Sequence, residues 1–261
     1  TSNITNILLI GTDGRENESA YRSDCMMIVT IDNTNKSVKL TSLARDTYVD
    51  IPGEGMGKLN ASYFWGKESL LFKTIENEFG LEIDKFIQID FNGLMDVITK
   101  LGGVDVEISQ KEMEAVNSMI PSTYEDYDNP DKGEMKLIEG TGVQTLTGYQ
   151  AICYCRVRDI DSAIYRDERQ RKVIMAIASK FKSMPVSEYP SLVKTLTPYV
   201  NTNIGSVELL NLGYHAYDIL SSGNSIKQGQ FPIIDEIHSK GGKYKDAGWV
   251  WRYDKNSVIV L

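Results

Sequence analysis

Apolar positions in this chain follow two periods, one of strands and one of helices. Residues 5–10 (Thr-Asn-Ile-Leu-Leu-Ile) form a short apolar run and predict a buried strand. Met26 to Ile31 and Val38 to Leu43 predict two more, joined by the turn Asn33-Thr34-Asn35-Lys36. Lys58-Leu59-Asn60-Ala61-Ser62-Tyr63 follows a Gly-rich loop, and a helix is expected over 67–79, ending at Gly80. A strand over 85–90 and a helix over 91–101 come next, with Gly102-Gly103 breaking the helix. Val104 to Ile108 alternates as a strand. Residues 117–140 are rich in Asp, Glu, Pro and Gly without periodicity, and are expected to form a long surface excursion. Leu146 to Ala151 opens a short helix that delivers Tyr154. Val173, Ile174, Ile177, Ala178 and Phe181 make a stripe at helical spacing. Helices are expected at 187–199 and 207–220, a strand at 226–234, and a tail holding Trp249, Trp251 and Arg252. The strand–helix–strand run predicts an α/β sheet with helices on its faces. No repeat or composition shift divides the chain, so one domain over 1–261 is expected.

Composition removes several function classes. A net charge of −8 argues against a nucleic-acid binder, which needs a basic surface. No run of eighteen apolar residues is present to span a bilayer. The chain opens at Thr1 without Met, which is read as a trimmed or processed piece, leaving room for an anchor upstream. Cys25, Cys153 and Cys155 are too few for a disulfide framework and are read as buried structural thiols. His215 and His238 are read as helix-surface or loop residues, poor material for a His-based hydrolase or a zinc site.

Charge is concentrated where the overall balance gives no reason for it. Five of the nine arginines lie between 156 and 171. Guanidinium is a planar fork suited to carboxylate or phosphate. Arg156 and Arg158 alternate, so an extended segment would project both from one face. Followed toward its N-terminus, the stripe of the next helix meets Gln170, Arg169 and Arg166, which points to an anion site at a helix start. The competing reading is a solvated helix start with local Asp167 and Glu168 pairs. Near the N-terminus, charged pairs stand at strand ends: Asp13 with Arg15, Arg22 with Asp24, and Arg45 with Asp46. Two carboxylates, Asp13 and Asp24, are sufficient for a magnesium ion that completes its shell with water and phosphate. Loop capping is the alternative role for each.

In order along the chain stand Gly11-Thr12-Asp13, Arg22-Ser23-Asp24, Ala44-Arg45-Asp46-Thr47 and Lys58-Leu59-Asn60-Ala61-Ser62-Tyr63. Leu146-Thr147-Gly148, Tyr154-x-Arg156-x-Arg158 and Arg166-x-x-Arg169-Gln170 follow. Each is weak alone, but the ordered set over about residues 5–180 resembles the LytR-CpsA-Psr family. The resemblance implies a three-layer α-β-α fold around a central mixed sheet, and a hydrophobic pocket for a lipid tail. It implies a bacterial cell-envelope protein, anchored on the outer, extracellular face of the membrane of a Gram-positive cell by an N-terminal helix. It also implies a phosphotransferase that moves a glycopolymer, teichoic-acid-like or capsular, from a polyprenyl-pyrophosphate carrier to peptidoglycan as a phosphodiester. By the same resemblance Asp13 and Asp24 are magnesium ligands. Arg22, Arg45, Arg156, Arg158, Arg166, Arg169 and Gln170 are pyrophosphate contacts. Arg45, Asp46, Arg156 and Arg158 are the catalytic set, with Asp46 orienting Arg45 or acting as base. The chain departs from the family pattern twice. Ala163 stands where Asp is usual, with Asp161 nearby as a substitute, and Cys25 stands where Thr is common. A polyprenyl-pyrophosphate pyrophosphatase and a non-catalytic polyprenyl-phosphate-binding regulatory module remain as alternatives.

Overall fold

In chain order the first half carries β1 (Ile4–Thr12), β2 (Ser23–Asp32), β3 (Ser37–Leu43), β4 (Tyr48–Ile51), β5 (Gly55–Lys58), α1 (Leu59–Phe79), β6 (Lys85–Asp90), α2 (Phe91–Lys100), β7 (Val104–Ile108) and α3 (Gln110–Asp126). The second carries β8 (Gly142–Leu146), α4 (Gly148–Arg156), α5 (Ala163–Ser183), α6 (Tyr189–Leu196), β9 (Asn201–Thr202), α7 (Ser206–Ser221), β10 (Lys227–Phe231), β11 (Ser239–Lys243) and β12 (Trp249–Tyr253). This computed structural model describes residues 3–13, 23–158, 160–235 and 237–254. The chain divides into two units, residues 1–88 with 201–261, and residues 89–200.

The first unit is built on a sheet of order β10-β3-β2-β1-β6-β9. β1, β2 and β3 form an antiparallel meander, while β10 lies parallel to β3, so the sheet is mixed. The turn between β2 and β3 is held by Asp32, whose Oδ1 accepts from Thr34 N at 3.0 Å and Asn35 N at 2.9 Å. Side chains on a strand alternate between faces. Met26 and Ile28 pack with Leu59, Tyr63, Leu71 and Ile75 of α1, whereas Ile31 packs with Ile219 and Leu220 of α7. One helix therefore covers each face, and this unit is the expected α-β-α sandwich.

Helix α1 starts earlier than the sequence pattern predicts. It begins at Leu59, immediately after β5, and breaks at Gly66 (φ −143°) and Lys67 (φ 53°). The expected start at 67 is the start after this break. Gly66 is required there because a Cβ would lie 2.4 Å from Leu70 Cβ. Gly80 closes the helix in the left-handed region, as expected. The Gly-rich loop is the β4–β5 hairpin, hidden because Gly-Met-Gly-Lys lacks strand-forming residues.

The second unit has its own core, in which Val104, Val106, Ile108, Val116, Ile120, Leu146, Ile152 and Val173 are buried together. The expected surface excursion at 117–140 is corrected, because its first ten residues belong to α3. A capping box starts this helix: Ser109 N donates to Glu112 Oε2 at 2.9 Å. Pro121 inside the helix masked it, although Val116, Ile120 and Thr123 keep helical spacing and are buried. Residues beyond the helix are pinned to it by Asn117, which receives Ile138 N and donates to Ile138 O. Within Leu146-Thr147-Gly148, Gln150 Oε1 caps the start of α4 by accepting from Thr147 N at 2.9 Å. Gly148 lies where a Cβ would approach Met95 O of α2 to 2.3 Å.

Gly148→Ala is therefore expected to push α4 off α2 and destabilise the chain by about 1–3 kcal/mol. A urea unfolding midpoint equal to wild type would show that the two helices separate without cost.

Candidate functional site

The first cluster is made by a bulge and a turn. Gly11 pairs with Cys25 and Thr12 with Ser23, which leaves Asp24 as the extra residue of β2. A bulge re-aims the side chain it carries and is common beside functional sites. Gly11 makes room for it, because a Cβ there would stand 2.9 Å from Cys25 Cβ. Arg45 follows β3, and its Nη1 donates to Asp24 Oδ1. Arg45 Nε reaches Asp46 Oδ2 at 3.4 Å, and Lys58 Nζ donates to Asp46 Oδ1 at 2.8 Å. The result is a row of alternating charge, Asp24, Arg45, Asp46, Lys58. Its side chains are 15–28 % exposed, shielded enough for the pairs to outweigh fully exposed ones. Burial alone lowers the Arg45 pKa, but the charges of Asp24 and then Asp46, with their hydrogen bonds, raise it above its ordinary value.

The backbone holds this row from two sides. Asn60 N donates to Arg45 O at 3.1 Å and Leu59 N to Thr47 O at 2.8 Å, so the start of α1 closes over the turn. Trp251 N donates to Asp46 O at 2.9 Å, tying the turn to β12. Three polar atoms in this region, Thr12 Oγ1, Ser23 Oγ and Asn60 Oδ1, are buried and lack a hydrogen-bond partner among the described residues. Thr12 and Ser23 are cross-strand partners flanking Asp24, and Asp13 follows Thr12 half-buried at the end of β1. Buried polar atoms without partners are uncommon and fit a bound ion or ordered water. Arg15 and Arg22 lie outside the described residues.

The second unit carries the other cluster. Arg156 is the last residue of α4, which corrects the expectation of an extended segment; Arg156 and Arg158 are nonetheless both exposed on either side of buried Val157. The Arg156 guanidinium lies 5.3 Å from the Phe91 ring centroid. Arg166 is buried on α5, with Nη2 3.5 Å from Asp167 Oδ1, and Gln170 is half-buried one turn on. Arg169 is 1 % exposed and committed inside the protein. Its Nη1 and Nη2 donate to the two oxygens of Asp161 at 2.6 and 2.8 Å, and Nη2 also donates to Val157 O at 2.9 Å. Glu112 Oε1, from the capping box of α3, stands 3.7 Å from Nη1. Asp161 is thus held by a fork, and α5 begins at Ala163 with no acid in its first turn. Burial pushes the Cys155 thiol up to about 12, in keeping with a structural thiol. Cys25 is only partly buried, unlike Cys153 and Cys155.

The LytR_cpsA_psr family model matches residues 1–259. The chain belongs to the LytR-CpsA-Psr family. Bacillus subtilis TagT, a polyisoprenyl-teichoic acid–peptidoglycan teichoic acid transferase, is 30 % identical over 93 % of this chain and 69 % of its own length. TagU of Enterococcus faecalis, with the same described activity, is 33 % identical over 84 % of this chain and 66 % of its own. Among solved structures, B. subtilis TagV superposes with a TM-score of 0.77 at 24 % identity, covering 100 % of this chain and 94 % of that one. TagT (YwtF) with bound octaprenyl pyrophosphate lipid gives 0.71 at 23 %, covering 99 % and 87 %.

The LytR-CpsA-Psr motifs account for most of both clusters, yet two contributors were missed in the sequence. Lys58 stands in its motif with no local sign of the site; the pairing of Tyr48 with Lys58 returns it to Asp46. Asn60 joins through its bond to the Arg45 carbonyl. A Lys twelve residues from an Asp gives no signal until a hairpin joins them.

Arg169→Met is expected to destabilise the chain by about 1–3 kcal/mol, because the Val157 carbonyl loses its donor and Asp161 and Glu112 lose their counter-charge. The exposed Arg156→Ala is expected within about 0.5 kcal/mol of wild type. Chemical denaturation measures both; equal midpoints for the two variants would contradict the assignment.

Proposed function

We propose that this chain is a phosphotransferase. It moves a glycopolymer, of teichoic-acid or capsular type, from a polyprenyl-pyrophosphate carrier to peptidoglycan. The observation that carries this reading is Arg45, a guanidinium fixed between two carboxylates on a bulge-and-turn scaffold. Its setting is a family with relatives named as teichoic acid transferases and a solved structure titled with octaprenyl pyrophosphate.

In this reaction the acceptor hydroxyl oxygen attacks the sugar-linked phosphorus. The bond from that phosphorus to the bridging oxygen breaks, polyprenyl phosphate leaves with the electron pair, and the hydroxyl proton passes to solvent. Such transfer depends on positioning and charge neutralisation more than on a strong base. Arg45, with Arg156, Arg158, Arg166 and Gln170, is proposed to contact the pyrophosphate, and Arg22 is carried with them from its motif. Arg169 is assigned instead to positioning, since it is 1 % exposed with its fork turned to Asp161 and the Val157 carbonyl, whereas the Arg45 side chain is 25 % exposed. Asp46 receives hydrogen bonds from two cations, which favours orienting Arg45 over taking a proton.

Magnesium is proposed as the cofactor, held by Asp13 and Asp24. The donor set fits a hard ion that takes one or two carboxylates, and the unpartnered hydroxyls of Thr12 and Ser23 fit its water shell. A carboxylate has lone pairs enough to serve both Arg45 and a cation. When bound, the ion would supply neutralisation of phosphate charge. No helix among the described residues is long and apolar enough to cross a membrane. Placement on the outer face of a Gram-positive membrane, with anchoring by a segment outside this sequence, is part of the proposal.

The test is incubation with a short polyprenyl-pyrophosphate sugar and a peptidoglycan oligomer, with and without magnesium. A phosphodiester product that EDTA abolishes is expected, with Arg156→Ala and Arg158→Ala each lowering the rate about 100-fold or more while remaining folded. Free sugar phosphate alone would identify a hydrolase, and binding without product a regulatory module.

A further inference from the structure

Trp251 and Arg252 of the tail meet the site through the hairpin, and the pairing makes a pocket. On β4 and β5, Tyr48 faces Lys58 and Asp50 faces Met56. Tyr48, Asp50, Met56 and Lys58 therefore share one face, while Val49 and Ile51 on the other are fully buried. Lys58 at one end of this face donates to Asp46. Asp50, two residues along the strand and roughly 7 Å from Tyr48, lies at the other. There a cavity of about 270 Å³ is lined by Tyr48, Asp50, Met56, Glu78, Arg252 and Tyr253.

The walls are fixed in advance. Tyr48 packs edge-on against Tyr244, with centroids 5.3 Å apart, and the Arg252 guanidinium lies 4.5 Å from the same Tyr244 ring. Tyr253 donates its hydroxyl to Glu78, and its ring packs against Phe231 at 5.0 Å. Burial, and then the Glu78 bond, raises the Tyr253 phenol, so it stays a donor. The Arg252 Nε–H is buried without a hydrogen-bond partner among the described residues. Two carboxylates against one guanidinium disfavour a phosphate, and three charged side chains among the six lining residues disfavour a lipid tail. A volume just under the roughly 300 Å³ where drug-sized sites begin has room for about one ring. A ring with an apolar face and hydroxyl edges matches two tyrosines and Met56 for its face, Asp50 and Glu78 as acceptors, and Arg252 as donor.

We infer that this pocket is a sugar-binding subsite, holding one ring of a glycan beside the Asp46–Lys58 end of the charged row. The transferase reading enters only as the source of the sugar, which is either the lipid-linked donor or the acceptor strand.

Calorimetric titration with three probes tests it: an N-acetylglucosamine tetrasaccharide, a prenyl pyrophosphate bearing N-acetylglucosamine, and the same prenyl pyrophosphate without sugar. Asp50→Ala, at an exposed position, and Arg252→Gln are expected to weaken at least one sugar-bearing probe about tenfold. Both are expected to leave the sugar-free probe unchanged; Asp50→Ala keeps the thermal midpoint, and Arg252→Gln lowers it slightly, by no more than the loss of its Tyr244 stacking. Loss confined to the tetrasaccharide assigns the pocket to the acceptor, and loss confined to the lipid-linked sugar assigns it to the donor. Wild-type affinity of both variants for both sugar probes would overturn the inference. So would a wild-type chain that binds neither sugar probe more tightly than the sugar-free one. A chain that makes no phosphodiester product yet shows the variant-sensitive sugar binding would refute the transferase reading and leave the subsite standing.

Discussion

The charged row of the first unit is centred on one ion pair, Arg45 with Asp24. Arg45 is placed by a turn whose carbonyls are taken by Asn60, Leu59 and Trp251. Asp24 is placed by a bulge that exists because Gly11 has no Cβ. Neither device is explained by core packing, since a regular strand pair would bury the same apolar surface. Both raise the charged side chains into a partly shielded zone, where a guanidinium–carboxylate bond is stronger than on the open surface. Asp46 and Lys58 extend the pair into a row with no net charge, so the cluster is held without like-charge strain.

The second unit solves the same problem differently. Its exposed arginines, 156 and 158, follow the end of a helix rather than lying on a strand. What fixes them is a third arginine that never reaches the surface. Arg169 grips Asp161 and the carbonyl between the two exposed guanidinium groups, and it approaches the carboxylate that caps α3. A buried charge left without partners is costly, so this segment has a strong reason to keep one arrangement. Of the second unit's expected anion contacts, Arg156 and Arg158 present charge at the surface, whereas Arg169 organises the segment that carries them.

Legibility in the sequence followed the physics of each signal. The meander β1–β3, the alternating β7 and the stripe of α5 were readable because local periodicity reports directly on burial. Helix α3 was not, because Pro121 and a run of acids obscured a buried stripe. The β4–β5 hairpin was hidden by glycines chosen for turn geometry, not strand propensity. Lys58 and Asn60 sit inside a readable motif, but their link to Asp46 and Arg45 passes through a hairpin and a helix start that the motif does not describe.

The sequence by itself determined the α/β class, the family, the cationic segment and the residue types for phosphate chemistry, since these rest on order, spacing and composition. Only the tertiary structure decided which charges are partners. The pairing of Asp24 with Arg45, the bulge at 23–25, the burial of Arg169 and the pocket between hairpin and tail join residues far apart in the chain. Such contacts are set by the packing of whole elements, and no local pattern along the chain encodes them.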